Sequence, residues 1–171
     1  LWTAVRQSSS SVIVGTWTQW IPLELLGLPP AMILAQQGSN LFYQFWISTE
    51  AVHRMPAWFE YLFNTPSHHR VHHASNPRYL DRNYAGVLMV WDRLFGTFAA
   101  EQDEERPRYG IVKNIATFNP IRIAFHEWAE IARELSAARS VREAAGIVFG
   151  PPGWRADGQG LTSKNIRAAW T

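Results

Sequence analysis

Apolar positions run almost unbroken through the first part of the chain, break into short patches in the middle, and settle into a clean helical stripe only near residue 120. Between Arg6 and Glu50 the sole charged residue is Glu24, across QSSSSVIVGTWTQWIPLELLGLPPAMILAQQGSNLFYQFWIST. Pro29 and Pro30 divide this stretch into apolar runs at 12–28 and 31–47, because proline lacks an N–H and disfavours helix at the residue before it. The pattern predicts a helical hairpin over about residues 11–50. Each run of about 17 residues spans about 25 Å, somewhat short of a ~30 Å hydrocarbon core.

Trp17, Trp20 and Trp46 stand where interfacial anchors would, and Arg54, Arg70, Arg78, Arg82 and Arg93 follow the second run. The expectation is an integral-membrane hairpin with both ends on the cytoplasmic side. A hydrophobic helix pair packed inside a soluble bundle is the competing reading, favoured by Glu24 and the two short lengths.

Downstream, AWFEYLFNTPSHHRVHH reads as a turn or two of aromatic helix, a stop, and a restart. Asn64 or Thr65 caps the new helix, with Pro66 just inside it. NYAGVLMVWDRLFGTF, residues 83–98, reads as an apolar helix closed by Gly96, and AAEQDEERPR after it as a solvated connection. Asn119 and Pro120 open an amphipathic helix with Ile121, Ala124, Phe125, Trp128, Ile131, Ala132 and Leu135 on one stripe. Ser140 and Glu143 form a capping box for a shorter helix. The Gly/Pro-rich tail is loop-like until a final turn after Ser163. Without strand alternation or repeats, the predicted fold class is all-α, with a main region over 1–138 and a short helix and tail over 139–171.

Composition removes some functions. A length of 171 residues suits one domain, and a formal charge of +2 with interleaved signs gives no nucleic-acid footprint. With no cysteine, disulfides and thiolate metal sites are excluded, leaving imidazole, carboxylate and carbonyl as ligands. The chain opens on Leu1 without a secretory signal pattern, which reads as a fragment lacking upstream sequence.

NTPSHHRVHH, residues 64–73, carries four of the six histidines. On a helix His69, His72 and His73 stand three and four residues apart on one face, while neighbouring His72 and His73 diverge by about 100°. That spacing suits a dinuclear centre, and imidazole accommodates iron, zinc, copper or nickel. A phosphate patch with Arg70 and Arg78 is weaker, since neutral imidazole adds little to it, and an acid-activated switch is a further alternative. His53 and His126 read as ordinary residues, so further ligands must come from elsewhere.

LFYQFWISTE, FNTPSHHRVHHASNPRYLDRNYAGVLMVWDRLFGTF and RYGIVKNIATFNPI together resemble the C-terminal half of the fatty acid hydroxylase and sterol desaturase superfamily. The likeness is nearest to bacterial sterol-desaturase-like and alkylglycerol monooxygenase members. It implies a helical integral-membrane enzyme with a cytosolic non-haem di-iron centre, which uses dioxygen and an external electron donor to hydroxylate or desaturate lipid C–H positions. His69, His72 and His73 match its last H-x-x-H-H motif, His68 precedes that motif, and Asn83 and Asp92 are carried as groups supporting an imidazole or its helix. The implied partners are a lipid substrate, the bilayer and an electron-transfer protein.

Two departures follow from the same resemblance. The family's earlier H-x-x-x-H and H-x-x-H-H clusters would lie before residue 1. Where relatives commonly read F-W-I-H-T-E, this chain reads FWISTE, with Ser48 in place of an imidazole. A hydroxyl is a weak donor to iron, which opens the alternative of a non-catalytic membrane scaffold or a single-metal protein.

Overall fold

The computed structural model of the chain describes residues 16–110, 115–151 and 153–170. Every regular element among them is helical, and the strand-like pairings among them are the isolated bridges Phe63–Leu88 and Ala74–Tyr109. The chain forms two compact units, Gly27–Asn114 and a second built from Leu1–Leu26 with Ile115–Thr171.

In the second unit a 3-10 turn, Thr16–Trp20, leads into α1, Ile21–Leu25. The start of the first apolar run lies outside the described residues. Later in the same unit, α6 (Pro120–Ala137) begins where the sequence places it, because Asn119 Oδ1 accepts the N–H groups of Ile121 and Arg122 at 3.0 and 3.2 Å. Ser140 Oγ accepts the Glu143 N–H at 3.1 Å and starts α7, Val141–Phe149. The Glu143 carboxylate returns to the Arg139 N–H at 2.9 Å, one residue earlier than in the usual reciprocal box. Glycine is required at 146, where a Cβ would enter the Trp154 indole ring. The tail closes in α8, Ser163–Trp170, and Thr162 Oγ1 accepts the Asn165 N–H at 3.2 Å ahead of it.

The unit Gly27–Asn114 holds α2 (Pro30–Ile47), α3 (Ala57–Leu62), α4 (Pro66–His72), the 3-10 turn Pro77–Tyr79 and α5 (Val90–Leu94). Helix α2 has 18 residues, yet no helix among the described residues is long and apolar enough to cross a membrane. Gln36, Gln37, Ser39, Asn40 and Gln44 interrupt its apolar surface. A Cβ at Gly86 would lie 3.0 Å from Asn40 Oδ1 and 3.3 Å from Gln44 Nε2, so this polar side of α2 faces a loop of its own unit.

Helix α5 is shorter than the 83–98 expected from its apolar run. The Asp92 carboxylate accepts the N–H groups of Tyr84 at 2.9 Å and Ala85 at 2.8 Å, drawing this stretch out of helix. Asn83 adopts φ +53, and the Asn64 and Met89 amides pair with Val87 and Leu62 carbonyls at 2.7 and 2.9 Å. Residues 83–89 therefore lie as a loop against the end of α3. Gly96, at φ +70, does close α5 as the sequence indicates.

The apolar core of this unit is small: Val71, Ala74 and Tyr79 pack together with Ala99. Much of what is buried is polar, including Asn64, Thr65, His68, Arg70, Asn76, Asn83, Asp92 and Glu101. Arg70 is the centre of that network. Its guanidinium grips Glu101 through Nε (3.1 and 3.2 Å) and NH2 (2.7 Å), and donates to the carbonyls of Thr49, Val52 and His53 at 3.2, 2.9 and 2.6 Å. Of the arginines that follow the second apolar run, Arg70 is therefore turned into the unit and paired there.

Replacing Arg70 by Met leaves Glu101 buried without its cation and three carbonyls without a donor, which costs about 3–5 kcal/mol. The expected readout is a lower denaturation midpoint together with faster amide exchange across residues 49–53.

Candidate metal centre

Helix α4 starts because Thr65, in extended conformation, hands over to Pro66 at the first helical position, and the Thr65 carbonyl accepts the His69 N–H at 2.9 Å. One turn of helix then sets His69 beside His73, which ends it. Their Nε2 atoms lie 3.1 Å apart. Two nitrogens each ~2.1 Å from a shared cation, at roughly a right angle, stand about 3.0 Å apart, so this pair fits a metal ion. The His72 ring lies 5.0 Å from that of His73 and 6.0 Å, nearly parallel, from that of His69. Three imidazoles thus gather on one side of α4.

His68 turns the other way. It is buried edge-to-face against Phe98 at 5.2 Å, and its Nδ1 has no hydrogen-bond partner. His53 is exposed and contributes its carbonyl to Arg70. His126 bonds within its own helix, to the Ile123 carbonyl at 2.8 Å and to Glu127 at 3.2 Å. Among the described residues no group of three or more His, Asp or Glu side chains converges as a complete metal site.

Burial, and then the neighbouring His73 and His72, push His69 down to about 4. His73 is lowered by burial and by His72. Both imidazoles are therefore neutral near pH 7, with a lone pair available for a metal. Ser48 completes the contacts of this pair. Its Oγ lies 3.0 Å from His69 Nε2 and 2.7 Å from the Gln44 carbonyl. A cavity of about 530 Å³ opens beside the pair, lined by Ile47, Ser48, Thr49, Glu50 and Tyr109 together with His69, Arg70 and His73.

The sequence signature of the family "Fatty acid hydroxylase" matches residues 1–97, a span that includes α2 to α5 and all four clustered histidines. The chain belongs to the fatty acid hydroxylase family. It is 42% identical over 155 residues to an alkylglycerol monooxygenase of Homo sapiens, and 40% identical over 152 residues to one of Danio rerio. Each alignment covers 89% of this chain and 33% of the relative, so the chain spans about one third of the length of these relatives. An alkylglycerol monooxygenase of Caenorhabditis elegans is 39% identical over 137 residues, covering 74% of this chain and 27% of that relative. No solved structure matches the chain.

In this fatty acid hydroxylase chain the two polar residues after the histidines act on backbone. Asn83 donates to the carbonyls of His68 at 3.2 Å and Ala99 at 2.8 Å, and accepts the Ala99 N–H at 2.9 Å. It thereby ties α4 to the segment after α5. Asp92 is buried, and besides the Tyr84 and Ala85 amides it takes the Thr97 hydroxyl. Among the described residues neither side chain hydrogen-bonds an imidazole.

Sequence reasoning did not foresee the buried role of Arg70, which it set beside the histidines only as a phosphate-binding alternative, and it missed Glu101, Glu50 and Tyr109 as parts of this region. A signal for the first was present, since an arginine between two histidine pairs on a seven-residue helix has little chance of pointing entirely to water. Glu101 had none, because it sits in a run of charges that reads as solvated.

Asn83→Ala unpairs the Ala99 amide and two carbonyls at a left-handed position, and is expected to cost about 2–3 kcal/mol. Equilibrium denaturation measures this, with faster exchange of the Ala99 amide as the local signature.

Proposed function

We propose that the chain is the C-terminal part of a membrane-bound non-haem di-iron oxygenase that acts on lipid C–H bonds, with an alkylglycerol ether as the substrate class. The neutral His69–His73 pair, with nitrogens 3.1 Å apart in a fatty acid hydroxylase chain, carries this reading. His69, His73 and His72 would hold iron, and the remaining ligands would come from the rest of the longer protein. When bound, the iron supplies dioxygen activation, with electrons from an external donor, for hydroxylation of an unactivated carbon.

The chain's own residues prepare that chemistry. Burial keeps His69 and His73 unprotonated, and Asn83 fixes the helix that bears them through the His68 carbonyl. Arg70 draws the 49–53 turn against the same helix, which brings Ser48 and Glu50 to the cavity. We assign the protein to a membrane, with the histidine side on the cytoplasmic face, from the aromatic and arginine pattern of the first part of the chain.

Ser48 favours a second reading, a membrane scaffold or single-metal protein that has lost turnover. Its hydroxyl occupies the approach to His69 Nε2, at the position where the family resemblance implies an imidazole, and a hydroxyl holds iron poorly.

The two readings part on the full-length protein. The enzyme reading expects two irons per chain and oxygen uptake that depends on an added alkylglycerol ether and yields oxidised lipid. At most one bound metal with no lipid-dependent uptake would establish the scaffold reading. Ser48→His is expected to raise iron occupancy, measured by elemental analysis; unchanged occupancy would remove Ser48 as a lost ligand.

A further inference from the structure

Helices α6 and α7 pack against each other, yet neither holds a buried residue. On α6 the Ala124, Trp128 and Ile131 border of the apolar stripe is half-buried, while Ile121 and Phe125 stand 71% and 54% exposed. On α7 the line Val141, Ala145, Phe149, one residue per turn, faces outward, with Val141 87% and Phe149 74% exposed. An amphipathic helix draws most of its stability from burial of its apolar face, so both helices call for a cover.

Charge says what that cover is. At about 100° per residue, Arg122 and Arg133 fall about 60° and 80° from Phe125, the centre of the exposed stripe, whereas Glu127, Glu130 and Glu134 fall about 140–180° away. On α7 Arg142 falls about 60° from Ala145, and Glu143 about 160°. All three arginines are exposed, and none of their guanidiniums has an ion-pair partner among the described residues. Two of the carboxylates are engaged elsewhere, Glu127 on His126 at 3.2 Å and Glu143 on the Arg139 N–H at 2.9 Å. Each exposed apolar line is thus bordered by cations, with its acids turned away.

A second copy of the chain fits this pattern poorly. An antiparallel pair of α6 helices brings arginine border to arginine border, and a parallel pair sets it against the Ala124 and Ile131 border, which carries no carboxylate. An anionic lipid surface satisfies both features. The apolar side chains enter the acyl boundary, and the arginine stems reach back to the head-group phosphates.

We infer that α6 and α7 lie in the plane of a membrane surface and dock their unit onto anionic lipid. This goes beyond the oxygenase reading and does not need it, since it involves neither the histidines nor a spanning segment. Each of the three arginines contributes about 5-fold to partitioning onto such a surface.

Collisional accessibility of single nitroxides tests this on the full-length protein reconstituted in vesicles, either of phosphatidylcholine alone or of phosphatidylcholine mixed with phosphatidylglycerol. The labels enter a cysteine-free background through Phe125→Cys, Phe149→Cys and, as a water-facing control, Glu134→Cys. In the anionic vesicles positions 125 and 149 are expected to be open to oxygen and about 10-fold less open to a water-soluble nickel chelate than position 134. In phosphatidylcholine alone, or with Arg122→Gln, Arg133→Gln and Arg142→Gln combined, that shielding should fall to about 2-fold or less. Equal nickel access at all three positions would overturn the inference by making both faces solvent surfaces. Shielding from oxygen as well as nickel would overturn it by showing a protein cover, whether the rest of a longer chain or a second copy. Shielding that ignores both lipid charge and the triple variant would remove anionic lipid as the partner. A fourth label, Leu34→Cys on the exposed side of α2, reads the membrane assignment of the other unit separately. Oxygen access there with positions 125 and 149 in water sinks the docking alone, and the opposite pattern sinks that assignment alone.

Discussion

The buried pair of Arg70 and Glu101 is the constraint on which the rest of the central unit depends. Helix α4, PSHHRVH, offers Val71 and Pro66 as its apolar side chains, far too little to bury a helix by the hydrophobic effect. A helix that must present imidazoles on one side can enter the interior only if its other polar groups find partners there. Arg70 does this with one planar fork, which satisfies a carboxylate and three carbonyls at once. The same bonds fix the turn after α2, so the segment carrying Ser48 and Glu50 is positioned by the histidine helix itself.

Other buried polar residues extend this logic to the loops. Asn64, Asn76, Asn83 and Asp92 each bond backbone groups of a distant segment. They take the place of a sheet in a unit whose described residues hold one long helix, several short ones and two isolated bridges. Such a network is rigid when complete and costly when broken, because each unpaired group stays away from water. A metal site benefits from that rigidity, since two nitrogens 3.1 Å apart are useful only if their helix cannot drift.

What could be read from the sequence was what local chemistry controls. Asn119 and Pro120 started α6, Ser140 started α7, and Thr65 with Pro66 started α4, all from short-range rules. Helical spacing also foretold that His69, His72 and His73 would gather, and the motif led to the family. The helix over 83–98 was misread because its apolar run hid a long-range competitor: Asp92 binds amides that a helix would have used. Asn83 and Gly86 inside that run were the available warning. The uncharged run before Ser48 suggested a spanning segment, and its scattered amides, two of which face Gly86, make α2 too polar for that.

We propose that a polar-clamped helix offers His69 and His73 as one side of an iron centre, beside a cavity of about 530 Å³. Iron K-edge X-ray absorption on the iron-loaded full-length protein tests it most directly. The account predicts an imidazole scattering shell that loses intensity in both His69→Ala and His73→Ala and is unchanged in His53→Ala. A shell that survives both substitutions intact would contradict it.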